Sequence, residues 1–503
     1  MHLPRSAALS VLNVDVASAD PLQLSADTLV IGVFTGGIGG PGTEAVIERL
    51  GLASLPLTPR FRGDIGQYLR IASPGLPAAS MLFVGLGRMD ATDDERLRQA
   101  ALIAARDGGL SGHAVTTLAQ VHPSPEAICA VAEGFCLGAA RDRRFAPHAP
   151  DEPRLERLTI LVPSAALDDG VRAVRRASTV ARATITARDL VNTPPNHQPP
   201  GELATQLIDL TAPTCTPRLL DAAMLERDGF GGVLGVGRGA ANAPCVVEVR
   251  YEPDEPLGHV VLCGRGTTFD SGGLTLRSSA AMIQTKGDMA GAAAIAAVCG
   301  ALGDLDVRIQ VTALLALVET LPSGDAQRPD DVVTTRSGTT VEITDPDADA
   351  ALVVADLIDL ARTYDPDAIV DLTTVGPAAA RALGRYAGAV MGNDQELIDA
   401  LLSAAASSGE LLWQLPLWDE LDRRLLSPVA DLRNNAPEAG AAGIVAGLFL
   451  RRFAKGVPWA HIDCSGPAFV VDDLATPARP AGGSGYGVRT LLAWLEHRTA
   501  HAG

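Results

Sequence analysis

Short apolar runs alternate with helical stretches through the first third of the chain. They are LVIGVF (29–34), SMLFVGLG (80–87), ERLRQAALIAARDGG (95–109) and LTILVPSA (158–165). This alternation is typical of an α/β domain, in which helices cover the faces of a sheet. We therefore predict an N-terminal α/β domain over residues 1–170, with a charged, proline-containing excursion at 141–157 before its last strand.

The alternation continues after a linking helix predicted at 171–191, and the strands become more uniformly apolar. The predicted strands are HVVLCGRG (259–266), VRIQVTALLALVE (307–319), AIVDLTTVG (368–376) and WAHIDCSG (459–466), with helices at about 282–302 and 349–364. Strands that are apolar on both sides indicate a sheet that is covered on both faces. We therefore predict a second α/β domain over residues 171–503.

The composition fits a two-domain chain of enzyme size and excludes two classes of partner. The chain has 503 residues, of which 47% are apolar, so it contains enough apolar material for two cores. Its formal net charge is -18, and it has no basic tract of the kind that nucleic acid binding requires. No apolar run reaches the length of a membrane span. We therefore expect neither nucleic acid nor membrane as a partner.

The cysteines and the N-terminal segment indicate a reducing compartment. The seven cysteines are scattered and lack CxxC spacing, which favours reduced thiols over a zinc knuckle or a disulfide framework. The segment 1–20 has only a short apolar stretch that polar residues interrupt, so it is a poor secretion signal. We expect a cytoplasmic location.

Two glycine-rich stretches and two histidines have ordinary structural explanations. The stretches at 34–42 and 235–241 match a dinucleotide fingerprint only loosely, which favours tight turns over a nucleotide site. His197 lies in a proline-rich segment and His461 within a predicted strand, so packing or hydrogen bonding is the favoured role of each.

Four aspartates are the candidate functional residues. Asp270, Asp288, Asp347 and Asp349 lie in the segments GRGTTFDSGG (264–273), TKGDMAGAA (285–293) and TDPDADAALVVAD (344–356). GRGTTFDSGG follows an apolar strand, where the sites of open α/β sheets form. Carboxylates brought together would repel and raise one another's pKa, so positive charge must lie among them. A pair of divalent metal ions is one source of that charge.

These segments, in this order, resemble the metal-site motifs of the leucyl aminopeptidase (cytosol aminopeptidase) family, GKGxTFDSGGxxxKP, MKxDMxGAA and NTDAEGRL. The stretches 187–200 and 229–239 also resemble segments that precede that site. The resemblance implies an N-terminal α/β domain, a C-terminal catalytic domain with a central mixed sheet flanked by helices, and a homohexamer. It further implies a metalloaminopeptidase that releases N-terminal amino acids from small peptides or aminoacyl amides.

Five positions depart from the family pattern. Arg265 stands where the family has a metal-ligating lysine, and Arg277 where it has the lysine that polarises the scissile carbonyl. Asp349 stands where the family has a bridging glutamate and has the shorter side chain, and Ala351 replaces the arginine that holds a bicarbonate for proton transfer. Thr285 replaces a methionine that lines the substrate pocket. The departures therefore affect catalytic and substrate-binding positions.

The two arginines and the alanine change what the site can do. Arg265 cannot ligate a metal, because a guanidinium does not deprotonate in proteins, but it can form a bidentate pair with a carboxylate. Arg277 can still donate hydrogen bonds to a developing oxyanion. Ala351 cannot transfer a proton, and a positioned acid or base contributes about 10²- to 10⁴-fold in rate.

Two interpretations remain open. In the first, the chain is a divergent metal-dependent hydrolase. Asp270 and Asp349 bridge two ions, Asp288 and Asp347 each hold one, and Arg277 is catalytic. Mn²⁺ or Zn²⁺ is then the cofactor, with one ion or none per subunit as alternatives; the oxygen-only ligands favour Mn²⁺ or Mg²⁺.

In the second interpretation, the chain is a catalytically inactive homologue with a structural or binding role. The aspartates are then inherited from an active ancestor, and Arg265, Arg277 and Lys286 neutralise them. The combined loss of both lysines and the arginine favours this interpretation.

Overall fold

The structure is a computed structural model that describes residues 12–142, 144–145, 154–436, 440–476 and 478–501. The chain divides into two compact units. The first comprises Met1–Ile185 with Ala475–Pro480, and the second comprises Thr186–Leu474 with Ala481–Gly503. No helix of the described residues is long and apolar enough to cross a membrane.

The first unit is built on a mostly parallel sheet. Its strands are β1 (Asn13–Ala17), β2 (Ala26–Phe34), β3 (Ile38–Gly39), β4 (Tyr68–Ala72), β5 (Ala78–Gly87), β6 (Gly112–Thr116) and β7 (Leu155–Leu161). In the described part of this unit they form the order β1-β7-β6-β2-β5-β4, with β3 paired to β2. Only the β2–β3 and β4–β5 pairs are antiparallel. The buried apolar pattern of β2 and β5 places both strands in the core.

Helices cover this sheet. They are α1 (Thr43–Arg49), α2 (Asp94–Asp107), α3 (Pro125–Ala139) and the first part of α4 (Leu167–Asn192). The Asp93 side chain caps α2 by accepting a hydrogen bond from the amide of Arg96, and Ser124 caps α3 in the same way through Ala127. Alternating strands and helices thus follow the predicted order. The excursion predicted at 141–157 and the segment 1–20 lie partly outside the described residues.

The second unit contains a larger mixed sheet. Its strands are β8 (Thr216–Leu220), β9 (Cys245–Tyr251), β10 (His259–Asp270), β11 (Gln310–Thr320), β14 (Ala368–Thr373), β15 (Gly388–Gly392), β16 (Leu412–Gln414) and β18 (Trp459–Asp463). Among the described residues the order is β16-β15-β18-β14-β10-β11-β9-β8. The central strands β18, β14, β10 and β11 are parallel, whereas β9 and β15 each run antiparallel to a neighbour.

Small sheets and helices complete the second unit. The small strands are β12 (Val332–Thr334), β13 (Thr340–Glu342), β17 (Leu432–Arg433), β19 (Phe469–Val470) and β20 (Gly482–Gly483). The helices are α5 (Pro200–Thr211), α6 (Ala222–Arg227), α7 (Gly231–Gly237), α8 (Ser279–Met282), α9 (Ala290–Ala301), α10 (Ala350–Arg362), α11 (Ala378–Leu383), α12 (Gln395–Ser408), α13 (Ala442–Ala454) and α14 (Val488–His501).

The mixed α/β architecture confirms the predicted fold class, and one predicted element is wrong. The helix predicted over 282–302 is interrupted, because Gln284 adopts a left-handed conformation with φ of 81° that an α-helix cannot contain. A 3₁₀ turn, Thr285–Met289, follows this residue, and α9 begins only at Ala290. This interruption matters for the site, since Asp288 lies in the 3₁₀ turn.

Candidate active site

The carboxyl end of β10 positions the first aspartate. Its pairing with β11 changes register between Thr267 and Asp270, and the chain turns sharply at Gly272, which has φ of +83°. The Gly272 amide donates a hydrogen bond of 2.8 Å to Asp270 Oδ1. Asp270 is completely buried. A side chain at position 272 would meet the carbonyl oxygen of Thr275 at 2.4 Å, so only glycine allows this turn.

The other three aspartates reach the same edge of the sheet from helix starts. Asp288 lies in the turn before α9, while Asp347 and Asp349 directly precede α10. The N-terminal end of a helix favours a nearby negative charge. Asp349 is 2% exposed, and its Oδ2 accepts a hydrogen bond of 2.8 Å from Thr320 Oγ1. The structure therefore brings together all four predicted aspartates.

Arg277 makes the shortest ionic contacts of the cluster. Its Nη2 lies 2.7 Å from Asp270 Oδ2, and its Nε donates a hydrogen bond of 2.6 Å to Asp347 Oδ1. Its Nη1 lies 3.9 Å from Asp288 Oδ2. The Asp270 contact is an ion pair without the alignment of a hydrogen bond, because Asp270 Oδ2 has no hydrogen-bond partner among the described residues. One guanidinium thus contacts three carboxylates.

Arg265 is buried beside the same carboxylates but donates mainly to neutral oxygens. Its Nε donates to Thr267 Oγ1 at 2.7 Å and its Nη1 to the Thr374 carbonyl at 2.6 Å. Its Nη2 lies 3.4 Å from Asp349 Oδ1 and 3.8 Å from Asp270 Oδ2. Arg265 does not form the bidentate carboxylate pair that its guanidinium could make, since two of its nitrogens donate to Thr267 and Thr374.

Lys286 lies on a different side of the turn that carries Asp288. Its Nζ donates a hydrogen bond of 3.0 Å to the Asn192 carbonyl and lies 5.8 Å from the centre of the Phe469 ring. These contacts anchor the 3₁₀ turn to neighbouring segments of the second unit.

Burial is the main electrostatic influence on the aspartates. It raises the pKa of Asp349 to about 7, and the nearby charge of Asp270 adds to this effect. Burial also raises the pKa of Asp288 and of Asp347, against the opposing attraction of the arginines. For Arg277, burial acts to lower the pKa, but Asp270, Asp347 and Asp288 outweigh it and raise the pKa. Burial thus favours the protonated form of these three carboxyl groups, and the arginines favour the ionised form.

A cavity of about 370 Å³ opens onto the cluster. Five aspartates and three arginines of the described residues line it, together with small and amide side chains. The charged residues are Asp288, Asp345, Asp347, Asp349, Asp463, Arg265, Arg277 and Arg381; Ala351, Thr374, Asn434 and Asn435 are also in the lining. Its size is that of a small-molecule site.

The arrangement of these residues does not fit a metal ion. Within the described residues, no group of three or more His, Cys, Asp and Glu side chains is placed to hold one. Arg277 instead contacts three of the four carboxylates, and a guanidinium is not a ligand. The ligand roles expected for Asp270, Asp288, Asp347 and Asp349 therefore remain predictions.

Some cavity residues are not apparent from the motifs. Three lining residues lie outside the family motifs quoted above. Arg381 lies in α11, Asn434 follows β17, and Asp463 is the last residue of β18. The sequence could have indicated Arg381, because the segment that contains it follows the predicted strand at 368–376, and sites form at the carboxyl edge of such strands. Asn434 had no such signal, since its role depends on a contact with residues about ninety positions earlier.

The fold and the site together define an aminopeptidase-like α/β protein with an acidic cleft. Residues 185–492 match the catalytic domain model of the cytosol aminopeptidase family, and residues 30–146 match the N-terminal domain model of that family. The chain belongs to the cytosol aminopeptidase family, which confirms the resemblance inferred from the motifs.

Curated relatives match along almost the whole chain. A probable cytosol aminopeptidase of Roseiflexus castenholzii is 35% identical over 97% of this chain and 100% of its own length. A protein of the same description from Nocardia farcinica is 39% identical over 96% of this chain and 97% of its own length.

A solved structure is similar in both fold and sequence. The bottromycin maturation enzyme BotP, in complex with Mn, has a TM-score of 0.83 and 34% identity, covering 94% of this chain and 99% of its own. The cytosol aminopeptidase family is metal-dependent. Membership and these relatives support an aminopeptidase-like function with peptides as the class of ligand.

Proposed function

We propose that the cavity binds the amino end of a small peptide or aminoacyl amide, and that the chain is a catalytically inactive member of its family. The observation that carries this proposal is the placement of Arg277. Its contacts of 2.7 Å to Asp270 and 2.6 Å to Asp347 engage carboxylates that the resemblance assigns to metal. The positive charge that the cluster requires is then already present in the chain.

The charge of the cavity suits a peptide amino group. Aspartates outnumber arginines in its lining, and the α-amino group of a peptide is mostly protonated at neutral pH. Asp347 and Asp288 are partly exposed, at 31% and 25% of their side chains, so their oxygens are accessible from the cavity. An ammonium would stabilise the ionised form of these carboxyl groups, whose pKa burial raises.

A divergent metal-dependent hydrolase, releasing N-terminal amino acids, is the second candidate. The presence of all four predicted carboxylates in one cluster favours it, since Asp288, Asp347 and Asp349 line the cavity and Arg277 joins Asp270 to Asp347. This function requires Arg277 to leave Asp270 and Asp347 when metal arrives. Mn²⁺ and Zn²⁺ are the ions to test, since a similar structure contains Mn.

One experiment separates the two candidates. Chelator-treated protein is titrated calorimetrically with trialanine, and the same sample is then incubated with Mn²⁺ or Zn²⁺ and assayed for metal content and for aminoacyl-amide hydrolysis. We expect peptide binding without metal and no turnover with it. About two ions per chain with turnover would support the hydrolase instead, and absence of peptide binding in every condition would contradict the binding function.

Asp347→Asn and Asp325→Asn form a matched pair for the binding measurement. Asp347 lines the cavity, whereas Asp325 is exposed and lies outside the cavity lining. We expect the first substitution to weaken peptide binding about fivefold, the effect of removing one partly exposed charge contact, and the second to leave it unchanged. Equal effects would show that the net charge of the chain, rather than the cavity, attracts the peptide.

The assembly and the location complete the proposal. A homohexamer rests on the family resemblance, and light scattering after size-exclusion chromatography measures it directly. A cytoplasmic location is supported by the cytosol aminopeptidase relatives.

A further inference from the structure

Arg381 differs from the other two arginines of the cavity. Arg265 and Arg277 direct their nitrogens to carboxylates and neutral oxygens of the chain. Arg381 also lines the cavity, but its side chain makes no hydrogen bond or ion pair with any described residue. Among the described residues, no direct contact therefore balances the charge of Arg381.

The position of Arg381 on α11 is unusual for a solvated surface arginine. This helix has the sequence AAARAL, so Arg381 is its only polar side chain. The helix follows Thr374–Pro377, which also line the cavity, and Ala378 on its first turn is another lining residue. An exposed arginine ordinarily lies among other polar side chains on a solvated surface. Arg381 instead projects from an apolar helix that forms part of a cavity wall.

The neighbouring amide side chains are already occupied. Asn434 Nδ2 donates to the carbonyls of Asp345 and Ala348 at 2.7 and 3.0 Å, and its Oδ1 accepts from the Thr344 amide at 2.8 Å. Asn435 Nδ2 donates to Asp345 Oδ2 at 3.2 Å. These amides hold the loop before α10 in place. The Arg381 guanidinium, by contrast, remains available to donate to a ligand.

We propose that Arg381 binds the C-terminal carboxylate of a short peptide whose amino end lies at the aspartates. This inference rests on the proposed peptide-binding function and adds a ligand class: short peptides with a free carboxylate, in preference to longer chains or C-terminal amides. The planar guanidinium matches a carboxylate with two parallel hydrogen bonds. A cavity of about 370 Å³ limits the ligand to small-molecule size, so both ends of one short peptide lie within it.

The test compares trialanine with trialanine amide, which differ only in the charge at the C-terminus. Wild-type protein is expected to bind the free acid about fivefold more tightly, the contribution of a partly exposed ion pair. Arg381→Gln removes the preference without affecting the amide, and Arg381→Lys retains part of it. Arg385→Gln is the matched control, because Arg385 is also exposed and close in sequence but does not line the cavity.

Each outcome decides the proposal. Equal affinity of wild-type protein for acid and amide would overturn the role of Arg381 while leaving the peptide-binding function intact. Equal loss of the preference in Arg385→Gln and Arg381→Gln would also overturn it, since a general field of surface charge would then be the cause. Failure to bind either peptide would instead contradict the proposed function. Circular dichroism verifies that all variants are folded.

Discussion

Asp270 depends on Arg277 for charge compensation. Its carboxylate is completely buried, and apart from the Gly272 amide its nearest donors are guanidinium nitrogens. A buried carboxylate that loses its partner has a large desolvation cost that nothing offsets. Arg277 is therefore also a structural residue, whatever its effect on metal binding.

Replacing Arg277 with alanine is expected to destabilise the protein. The variant leaves Asp270 buried without its cation and Asp347 without its hydrogen bond of 2.6 Å. We expect the free energy of unfolding to fall by about 3 kcal/mol, as when one partner of a buried pair is removed. Urea denaturation monitored by fluorescence measures this change.

The control for Arg277→Ala is Arg328→Ala. Arg328 contacts Asp331 at 2.8 Å, but its side chain is 71% exposed, so solvent screens the pair and its removal should change stability little. The double variant Arg277→Ala/Asp270→Asn should recover part of the lost stability, because it also removes the buried charge. If the two single arginine variants lose equal stability, Arg277 does not compensate a buried charge.

A second buried pair, His461 and Asp371, is expected to make the stability of the protein depend on pH. His461 Nδ1 lies 2.5 Å from Asp371 Oδ1, both residues are completely buried, and Trp459 Nε1 donates to the other Asp371 oxygen at 2.9 Å. Burial acts to lower the pKa of His461, but Asp371 and, to a smaller extent, Asp463 outweigh it and raise the pKa. The hydrogen bond agrees with the role expected for His461 from its place in a strand.

We expect this pair to stabilise the protein most strongly on the acidic side. Since the pKa of His461 is higher in the folded than in the unfolded state, the contribution is complete below the unfolded value of about 6.5 and is lost as the pH rises through the folded value. Asp371→Asn should cost about 3 kcal/mol at pH 6 and less at pH 9. Urea unfolding at pH 6, 7.5 and 9 measures both proteins; parallel pH profiles would contradict the assignment.

At the scale of elements, the site depends on how closely α9 approaches β14. Gly291, in the first turn of α9, lies so near the strand that an added Cβ would be 2.0 Å from the Leu372 carbonyl oxygen. The helix start and the preceding 3₁₀ turn, which carries Asp288, are therefore held against the central sheet. The position of Asp288 therefore depends on a glycine at position 291.

Gly291→Ala is expected to push α9 away from the sheet. We expect a loss of about 2 kcal/mol in the free energy of unfolding, the usual cost of overpacking a rigid backbone contact. Gly300→Ala in the same helix is the control, because its Cβ would meet the Leu210 carbonyl oxygen at an ordinary 3.4 Å. That substitution should be neutral or stabilising by about 0.5 kcal/mol. Equal losses in thermal or urea denaturation would contradict the close-approach explanation.

Elements with a clear apolar pattern were predictable, whereas contacts between distant segments were not. The strand predicted at 259–266 extends to Asp270, and the helix predicted at 349–364 is α10 with its first residue at Ala350. The proximity of the four aspartates could be predicted, because their segments resemble the metal-site motifs of one family and the first of them follows an apolar strand. That Arg277 rather than Arg265 makes the closest ionic contacts could not be predicted, because it depends on the hydrogen bonds that Thr267 and Thr374 accept from Arg265.

At the scale of the whole molecule, both family domains are retained, and the predicted departures from the family motifs are confined to a few positions. Relatives at 35% to 39% identity match over nearly the entire chain, and the structure resembles BotP with a TM-score of 0.83. The departures at 265, 277 and 351 all line the cavity. A small set of substitutions at these positions should therefore recover metal chemistry if the arginines are what prevents it.

The triple variant Arg265→Lys, Arg277→Lys, Ala351→Arg tests this conclusion. Lysines are shorter and can become neutral ligands, and Ala351, although buried, lines the cavity, so an arginine there would extend into it. With Mn²⁺ or Zn²⁺ we expect metal uptake and aminoacyl-amide hydrolysis about 10²-fold or more above the double-lysine protein. Single reversions should gain little, because residues that act as a unit are strongly non-additive.

The matched control for the triple variant places the new arginine at Ala348 in the same double-lysine background. Ala348 also lines the cavity, but it does not occupy the motif position from which the family arginine acts, so this protein should remain near the rate of the double-lysine variant. Equal rates for the two arginine positions would mean that added charge alone drives turnover. A folded triple variant that takes up metal without turnover would locate the remaining defect at Asp349, the shortened bridging position. A folded triple variant without metal uptake would show that the arginines are not what keeps metal out.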